Sequence, residues 1–517
     1  MFEKASDGAV VKKTAIPSVI KEVISELSLP DYLPDVSRLL RTSADIGAEN
    51  GYVSGNSLEY DGEVDFTVIY ATSDGRIKSV SLSSDFDGAM ALPETDGEFD
   101  AVPKIRVDGV SCRLQNPRRL SVRAKLDVGG DMFSPVSVVP TVSGKPTAEE
   151  EARIMRKVRE GESFCRVCVK DENVPVSEDI ELDGGSPSIG EIVSIALLPF
   201  IYEVRAESGK ITYRGDVSAE LLYLAASDGK NQAEYHSIRK KIPISGSVDA
   251  DGVTDAFTAC GDATVTGIEF RPQANATGEN RVAEVDFTYT AQLCAFTNGR
   301  VETVSDMYST DYMCENVFCD HETLRVLRAG AFNFTSDGSS PLDEKDYDVP
   351  VAESAAVSIE KIEKSGTKAV FSGKTDVSVI LTNGAGSYVG RSLSYPFRAE
   401  TEVGKSRGEL QCDAAASVVG IGARVDGGEI KCDVEVGISY AAFEKENVRA
   451  VSECVVMKDR PRKRAVKSSI VICYPSDGDD LWSIAKRYGT TEESIRASND
   501  LTGEKLTEKA LIIPSEK

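Results

Sequence analysis

The sequence predicts a mainly β protein: three tandem repeats of an antiparallel, sandwich-like β domain, followed by a small α+β domain of βααβ order. Three observations predict it. An alternating apolar strand pattern recurs three times at nearly constant spacing, turn residues follow each copy at matching places, and the final stretch exchanges the two-residue period for two short helical stripes.

The first copy of the strand begins at Tyr60-x-Gly62 and continues with Val64, Phe66, Val68 and Tyr70, then Ser73-Asp74-Gly75. Tyr213-x-Gly215 leads likewise into Val217, Ala219, Leu221 and Tyr223, then Ser227-Asp228-Gly229, and Phe371-x-Gly373 into Thr375, Val377, Val379 and Leu381, then Asn383-Gly384. The spacings are 215 − 62 = 153 and 373 − 215 = 158. Strict alternation buries one face of a strand, and Asp-Gly or Asn-Gly is a hairpin signal. A second landmark, Gly109, Gly267 and Gly420, follows each copy and precedes another alternating strand, such as Leu120, Val122, Ala124, Leu126 and Val128. Pro34, Pro187 and, more loosely, Pro350 stand ahead of the three copies, so each unit begins well upstream of its tyrosine or phenylalanine.

These marks divide the chain into β domains at 1–145, 161–315 and 316–457. Residues 146–160 read as an exposed connecting helix, because Thr147 and Glu150 form a capping box over a highly charged run. Residues 458–468 read as a basic linker. A period this long exceeds that of a solenoid, so the units are expected as separate beads.

The last domain spans 469–517. Ile470 to Tyr474 reads as a strand, and Asp479 or Asp480 caps a helix carrying Leu481, Ile484, Ala485 and Tyr488 on one stripe. Gly489 ends that helix. Thr490 and Glu493 form a capping box for a second helix, which turns Ile495 inward and stops near Asn499, and Leu511-Ile512-Ile513 returns as a strand closed by Pro514.

Composition excludes several functions. A net charge of −25 and a pI near 4.7 oppose binding of nucleic acid or anionic lipid by the whole molecule. The first residues lack the basic-then-apolar pattern of a secretory signal, and the longest apolar run, Ile192 to Tyr202, is too short to span a bilayer, so a cytoplasmic location is expected. Eleven scattered cysteines predict no disulfide framework. Cys165-x-x-Cys168 has metal-like spacing, but the odd offset along a strand sends the thiols to opposite faces. With two histidines, His236 and His321, no histidine cluster can form. Ser372-Gly373-Lys374-Thr375 lacks the upstream glycine of a phosphate loop. Neither a catalytic constellation, nor a metal site, nor a cofactor is expected.

The string Gly478-Asp479-x-Leu481-Trp482-x-Ile484-Ala485-x-x-Tyr488, with Asn499 and Ile513-Pro514, resembles a LysM domain. That family binds N-acetylglucosamine glycans in a groove between the first strand-to-helix turn and the loop after the second helix. The usual groove residues are replaced here at Cys473, Pro475, Asp480 and Thr507-Glu508-Lys509. Together with the triple β unit, the chain resembles the SPOCS-domain, LysM-ended spore coat morphogenetic proteins of clostridia, the SipL-like family. The resemblance implies a scaffold in the mother-cell cytoplasm, without enzymatic activity, whose LysM domain docks on the coat-basement ATPase SpoIVA at the forespore surface. The alternative is a peptidoglycan-binding envelope or cortex protein. In either case the binding residues are expected among Gly478, Asp479, Asp480, Leu481, Trp482 and Asn499. Trp482, the sole tryptophan, suits either a partner contact or burial against its own helices.

Overall fold

The computed structural model describes residues 9–94, 99–226, 234–275, 277–343, 346–462, 470–501 and 510–514, the side chains of Ala48 and Ile470 aside. Strand accounts for 77% of the chain and helix for 4%, which makes the fold mainly β.

The first unit comprises β1 (Ala9–Ser28), β2 (Val36–Ser54), β3 (Ser57–Thr72), β4 (Ile77–Ala91), β5 (Asp100–Asn116) and β6 (Arg119–Ser137). They form two three-stranded antiparallel sheets, of order β1-β6-β5 and β2-β3-β4. The most regularly alternating strands are the central ones. Tyr60, Val64, Phe66, Val68 and Tyr70 of β3 face Leu120, Val122, Ala124, Leu126 and Val128 of β6 in one core. A central strand needs partners on both edges, so an unbroken inward row there brings both neighbours into register.

After β7 (Thr141–Ser143) and α1 (Ala148–Glu151) the pattern repeats. The second unit has β8 (Ile154–Glu181), β9 (Ile189–Glu207), β10 (Lys210–Ala225), β11 (Tyr235–Asp249), β12 (Thr258–Ala274) and β13 (Asn280–Ser309), in sheets β12-β13-β8 and β11-β10-β9. The third has β14 (Tyr312–Pro341), β15 (Val349–Ser365), β16 (Lys368–Thr382), β17 (Tyr388–Glu402), β18 (Glu409–Asp426) and β19 (Glu429–Pro461), in sheets β14-β19-β18 and β15-β16-β17. The three tyrosine- or phenylalanine-led strands are the central strands β3, β10 and β16. Gly109, Gly267 and Gly420 each lie where the register of β5, β12 and β18 slips, so the second repeated landmark marks a β-bulge. The Tyr70 and Tyr223 hydroxyls donate to the carbonyls of Pro34 and Pro187, at 3.3 and 3.1 Å, tying down the start of each unit. The Ser227-Asp228-Gly229 turn lies outside the described residues.

Three expectations require correction. The capping box of Thr147 and Glu150 is present, but its helix is one turn long and the chain is already in β8 at Ile154. The charged residues up to Glu160 sit on a strand paired with β13, where a ladder partner outweighs a weak helical preference. Lys458 to Pro461 likewise belong to β19 rather than to a linker, because β14 extends far enough for Tyr312 to pair with Pro461 across a register shift, while 463–468 lie outside the described residues.

Nor are the three units separate beads. The units pack around a common axis through residues at matching repeat positions. One layer joins Leu40, Val193 and Val351 (193 − 40 = 153; 351 − 193 = 158), Ile69, Leu222 and Ile380, and Ile77, Tyr235 and Tyr388. The other joins Val11, Phe164 and Leu324 with Phe133, Phe296 and Phe443. Strand β4 lies against β9, β11 against β15 and β17 against β2, which closes the three sheets into a ring. Lys13 and Lys104 of unit one bridge Asp131 of the same unit and Asp413 of unit three at 2.5 to 3.0 Å, and Arg166 of unit two stacks 3.8 Å from the Phe133 ring centroid.

Units two and three also carry extensions beyond their sandwiches. Beyond its sandwich β8 pairs with β13 as far as Ile154 with Ser309, and β14 with β19 as far as Tyr312 with Pro461. These hairpin ends pack through Ile154, Val304, Met307, Val451, Cys454 and Val456 into an arm, on which β7 adds a parallel strand to β19. The arm carries the C-terminal domain. That domain has strands β20 (Ile470–Cys473) and β21 (Leu511–Pro514), paired antiparallel around α2 (Leu481–Tyr488) and α3 (Glu492–Asn499).

Candidate functional site

Each expected site residue of the C-terminal domain has a local structural role. Gly478 takes φ 93°, open to glycine alone at no cost, and lets the chain turn so that the Asp479 carboxylate accepts from the Ser476 N–H at 3.0 Å and pairs with Arg487 at 2.6 Å. Asp480 is the N-cap of α2 and accepts from the Ser483 N–H at 2.8 Å. Leu481 is buried in the domain core. Asn499 clamps β21, accepting from the Ile512 N–H at 2.6 Å and donating to the Ile512 carbonyl at 2.7 Å.

Two details differ from expectation. The second helix is capped by Thr491, whose hydroxyl accepts from the Ser494 N–H, and not by Thr490, which is buried. The two threonines are adjacent, and only Thr491 stands where its side chain reaches the third helical residue. Tyr488 is 38% exposed, so the buried stripe of α2 consists of Leu481, Trp482, Ile484 and Ala485.

Trp482 is 8% exposed, and the arm contributes to that burial. Its ring meets Tyr308 of β13 edge-on at 4.9 Å between centroids, and its Nε1–H donates to Asp306 at 2.7 Å. Lys486 pairs with the same carboxylate at 2.6 Å, and the Tyr308 hydroxyl donates to the Thr490 carbonyl at 2.8 Å. Lys157 of β8 pairs with Asp480 at 2.7 Å and stands 5.9 Å from the Trp482 ring centroid. That contact, with the Ser483 N–H, holds the Asp480 carboxyl down at about 2 against burial. The Arg462 guanidinium stands 5.7 Å from the Tyr308 ring centroid and donates to the Lys486 carbonyl. Tyr308 therefore belongs to the same apolar cluster as Leu481, Trp482, Ile484, Ile495 and Leu511. The expected site and the arm form one interface, of which sequence reasoning named only the C-terminal half. Lys157, Asp306 and Tyr308 carry no local signal, being alternating residues of long strands.

A register shift between Val304 and Asp306 sets this geometry. It changes the parity of β13, so that Val304 and Met307 turn into the arm while Asp306 and Tyr308 face the C-terminal domain.

Away from this interface the charged groups around the cavity are paired. A cavity of about 140 Å3 where the three units meet is lined by Arg41, Glu220, Arg239 and Glu353, but Arg239 already bridges both carboxylates at 2.8 and 3.1 Å. Cys168 and Cys294 are direct partners on β8 and β13, Cα atoms 4.2 Å apart, and form a disulfide; the absence of any disulfide expected from sequence is corrected by strand register. Cys165 is free and buried. Among the described residues, no three His, Cys, Asp or Glu side chains converge as a metal site, and no helix is long and apolar enough to cross a membrane.

Comparison with known families matches residues 188–272 to the model described as SipL, SPOCS domain, and residues 477–507 to the LysM domain. The first match covers β9 to β12 of unit two, and the second covers the turn, both helices and the residues after them. No curated protein and no solved structure matches the chain. The chain thus matches a SPOCS domain within its second unit and a LysM domain after its third.

Proposed function

We propose that this chain is a non-enzymatic scaffold of spore coat assembly, acting on the mother-cell side of the forespore surface, whose LysM domain docks on the coat-basement ATPase SpoIVA. The ring of three units serves as a rigid spacer, and the LysM domain provides the attachment.

One observation supports a protein partner over a glycan. The Trp482 face is complementary to a polypeptide strand: Asp306 satisfies the indole N–H and Lys486 together, and Tyr308 fills the space beside the indole ring. Buried aromatic anchors ringed by charged pairs are typical of protein interfaces. A sugar site instead needs an open stacking face with convergent donors.

The test is co-precipitation of SpoIVA with the full chain and with a chain ending at Arg462. Capture by the full chain alone is expected, and equal capture by both would remove the LysM domain from the reading. Titration of the full chain with chitin oligomers or muropeptides addresses the peptidoglycan alternative, for which submillimolar binding would speak.

A further inference from the structure

The LysM face that would meet a partner is already covered by the chain's own arm, and the cover is specific. Asp306 and Tyr308 lie two residues apart on one face of β13, as an extended strand requires. The carboxylate receives Trp482 Nε1–H at 2.7 Å and Lys486 Nζ at 2.6 and 2.8 Å. The phenol packs edge-on against the indole and donates to the Thr490 carbonyl. At the rim Lys157 closes on Asp480.

We infer that this face of the LysM domain recognises an extended strand bearing a carboxylate two residues before an aromatic side chain, and that Asp306-Met307-Tyr308 is an internal copy of that ligand which latches the domain. This rests on the reading that the LysM domain binds a protein. Its external partner then presents the same acidic-x-aromatic chemistry and competes with the arm. Because arm and domain belong to one chain, the latch acts at high effective concentration and suppresses binding of weak or isolated ligands. Its composition suits release: a single aromatic pair is surrounded by charged contacts at a partly exposed rim, where ion pairs are weak and screened by salt.

Trp482 is the only tryptophan, so its fluorescence reports the latch in the full chain. Three forms are compared: the natural chain, Tyr308→Phe, and the double variant Asp306→Asn with Tyr308→Ala. The natural chain is expected to show blue-shifted emission with poor acrylamide quenching. In the double variant emission shifts red and quenching rises several-fold, while circular dichroism stays unchanged, and Tyr308→Phe falls between. A synthetic peptide of residues 302–312 reverses the change in the double variant and leaves the natural chain unaltered; the same peptide with its Asp306 and Tyr308 positions replaced by alanine does neither. Should the double variant lose its β signal, Lys157→Glu at the exposed rim takes its place and is expected to raise quenching in the same direction. Freely quenched Trp482 in the natural chain, or an unlatched variant that ignores the peptide, overturns the inference. So does capture of SpoIVA by the double variant that is no stronger than by the natural chain, which would place the partner elsewhere, such as the outer face of Ile472, Tyr474 and Ile512. If neither form captures SpoIVA, the proposed function fails, while the quenching and peptide results still decide the latch.

Discussion

The axis of the three-unit body and the seat of the LysM domain are both contacts between parts of one chain, and they are made of opposite materials. At the axis each unit contributes the same repeat positions, among them Phe133, Phe296 and Phe443, all at most 6% exposed. At the seat one aromatic pair is enclosed by Asp306, Lys486, Asp480 and Lys157, the last two 55% and 42% exposed at their side chains. The first arrangement resembles a domain core divided in three, and the second a transient interface. Duplication explains the difference. A repeated strand brings its apolar residues to a shared axis three times over, whereas the arm is built from the long hairpin ends of units two and three with β7 alongside, and carries side chains that do not repeat.

The axis is most exposed to damage at Phe443, which contacts Phe164 and Phe296. Phe443→Ala is expected to cost about 3–5 kcal/mol of global stability, read from denaturant unfolding, without altering Trp482 quenching in the folded state. Concerted loss of both would show that body and seat are a single cooperative unit.

A smaller effect is expected at Glu49 of β2, on the seam between units one and two. Burial pushes its carboxyl up to about 7, opposed by Lys170 and reinforced by Asp262. A carboxyl whose folded pKa lies above its ordinary 4.5 is held protonated by the fold, so its share of stability falls as pH rises from about 4.5 to about 7 and stays lost above. Glu49→Gln should flatten that slope and stabilise the chain at pH 8 by up to about 2 kcal/mol, measured as unfolding midpoints across pH. An unchanged slope would remove Glu49 from the seam's titration.

At the seat the single-atom change Tyr308→Phe deletes the bond to the Thr490 carbonyl and should weaken docking by about 1 kcal/mol, visible in Trp482 quenching but not in the global midpoint. The smallest effect is expected from the exposed rim pair. Lys157→Ala should weaken docking by less than about 1 kcal/mol, and high salt should mimic it. Acid should act in the same direction: Asp480, depressed from 3.8 to about 2, contributes fully above about pH 4 and loses its contribution as pH falls through about 2. Tryptophan emission that stays constant from pH 5 to 2 would count against this pair.

The strands and the βααβ tail could be read from sequence because alternation, glycine turns and caps are local. The axis could not be read with the same pattern, although a trace was present. Val68-Ile69-Tyr70, Leu221-Leu222-Tyr223 and Val379-Ile380-Leu381 are unbroken apolar runs at equivalent positions, and a strand apolar on both faces is buried on both. The middle residues, Ile69, Leu222 and Ile380, are the ones at the axis. The alternating set alone predicts beads, because it marks one buried face per strand and leaves the second unassigned. The LysM residues were recognisable as a group, but Trp482 meets Asp306 across 176 positions and nothing in either segment announces the other. The Cys168–Cys294 bond is of the same kind, set by a register that spacing alone does not reveal.

The ring has threefold character in its body and none in its attachment. Three tips on one platform would multiply their strengths on a surface, because each bound tip raises the local concentration of the next. Among the described residues the LysM fold occurs once for three β units, so whatever contact it makes is made singly per chain and gains nothing from the threefold body.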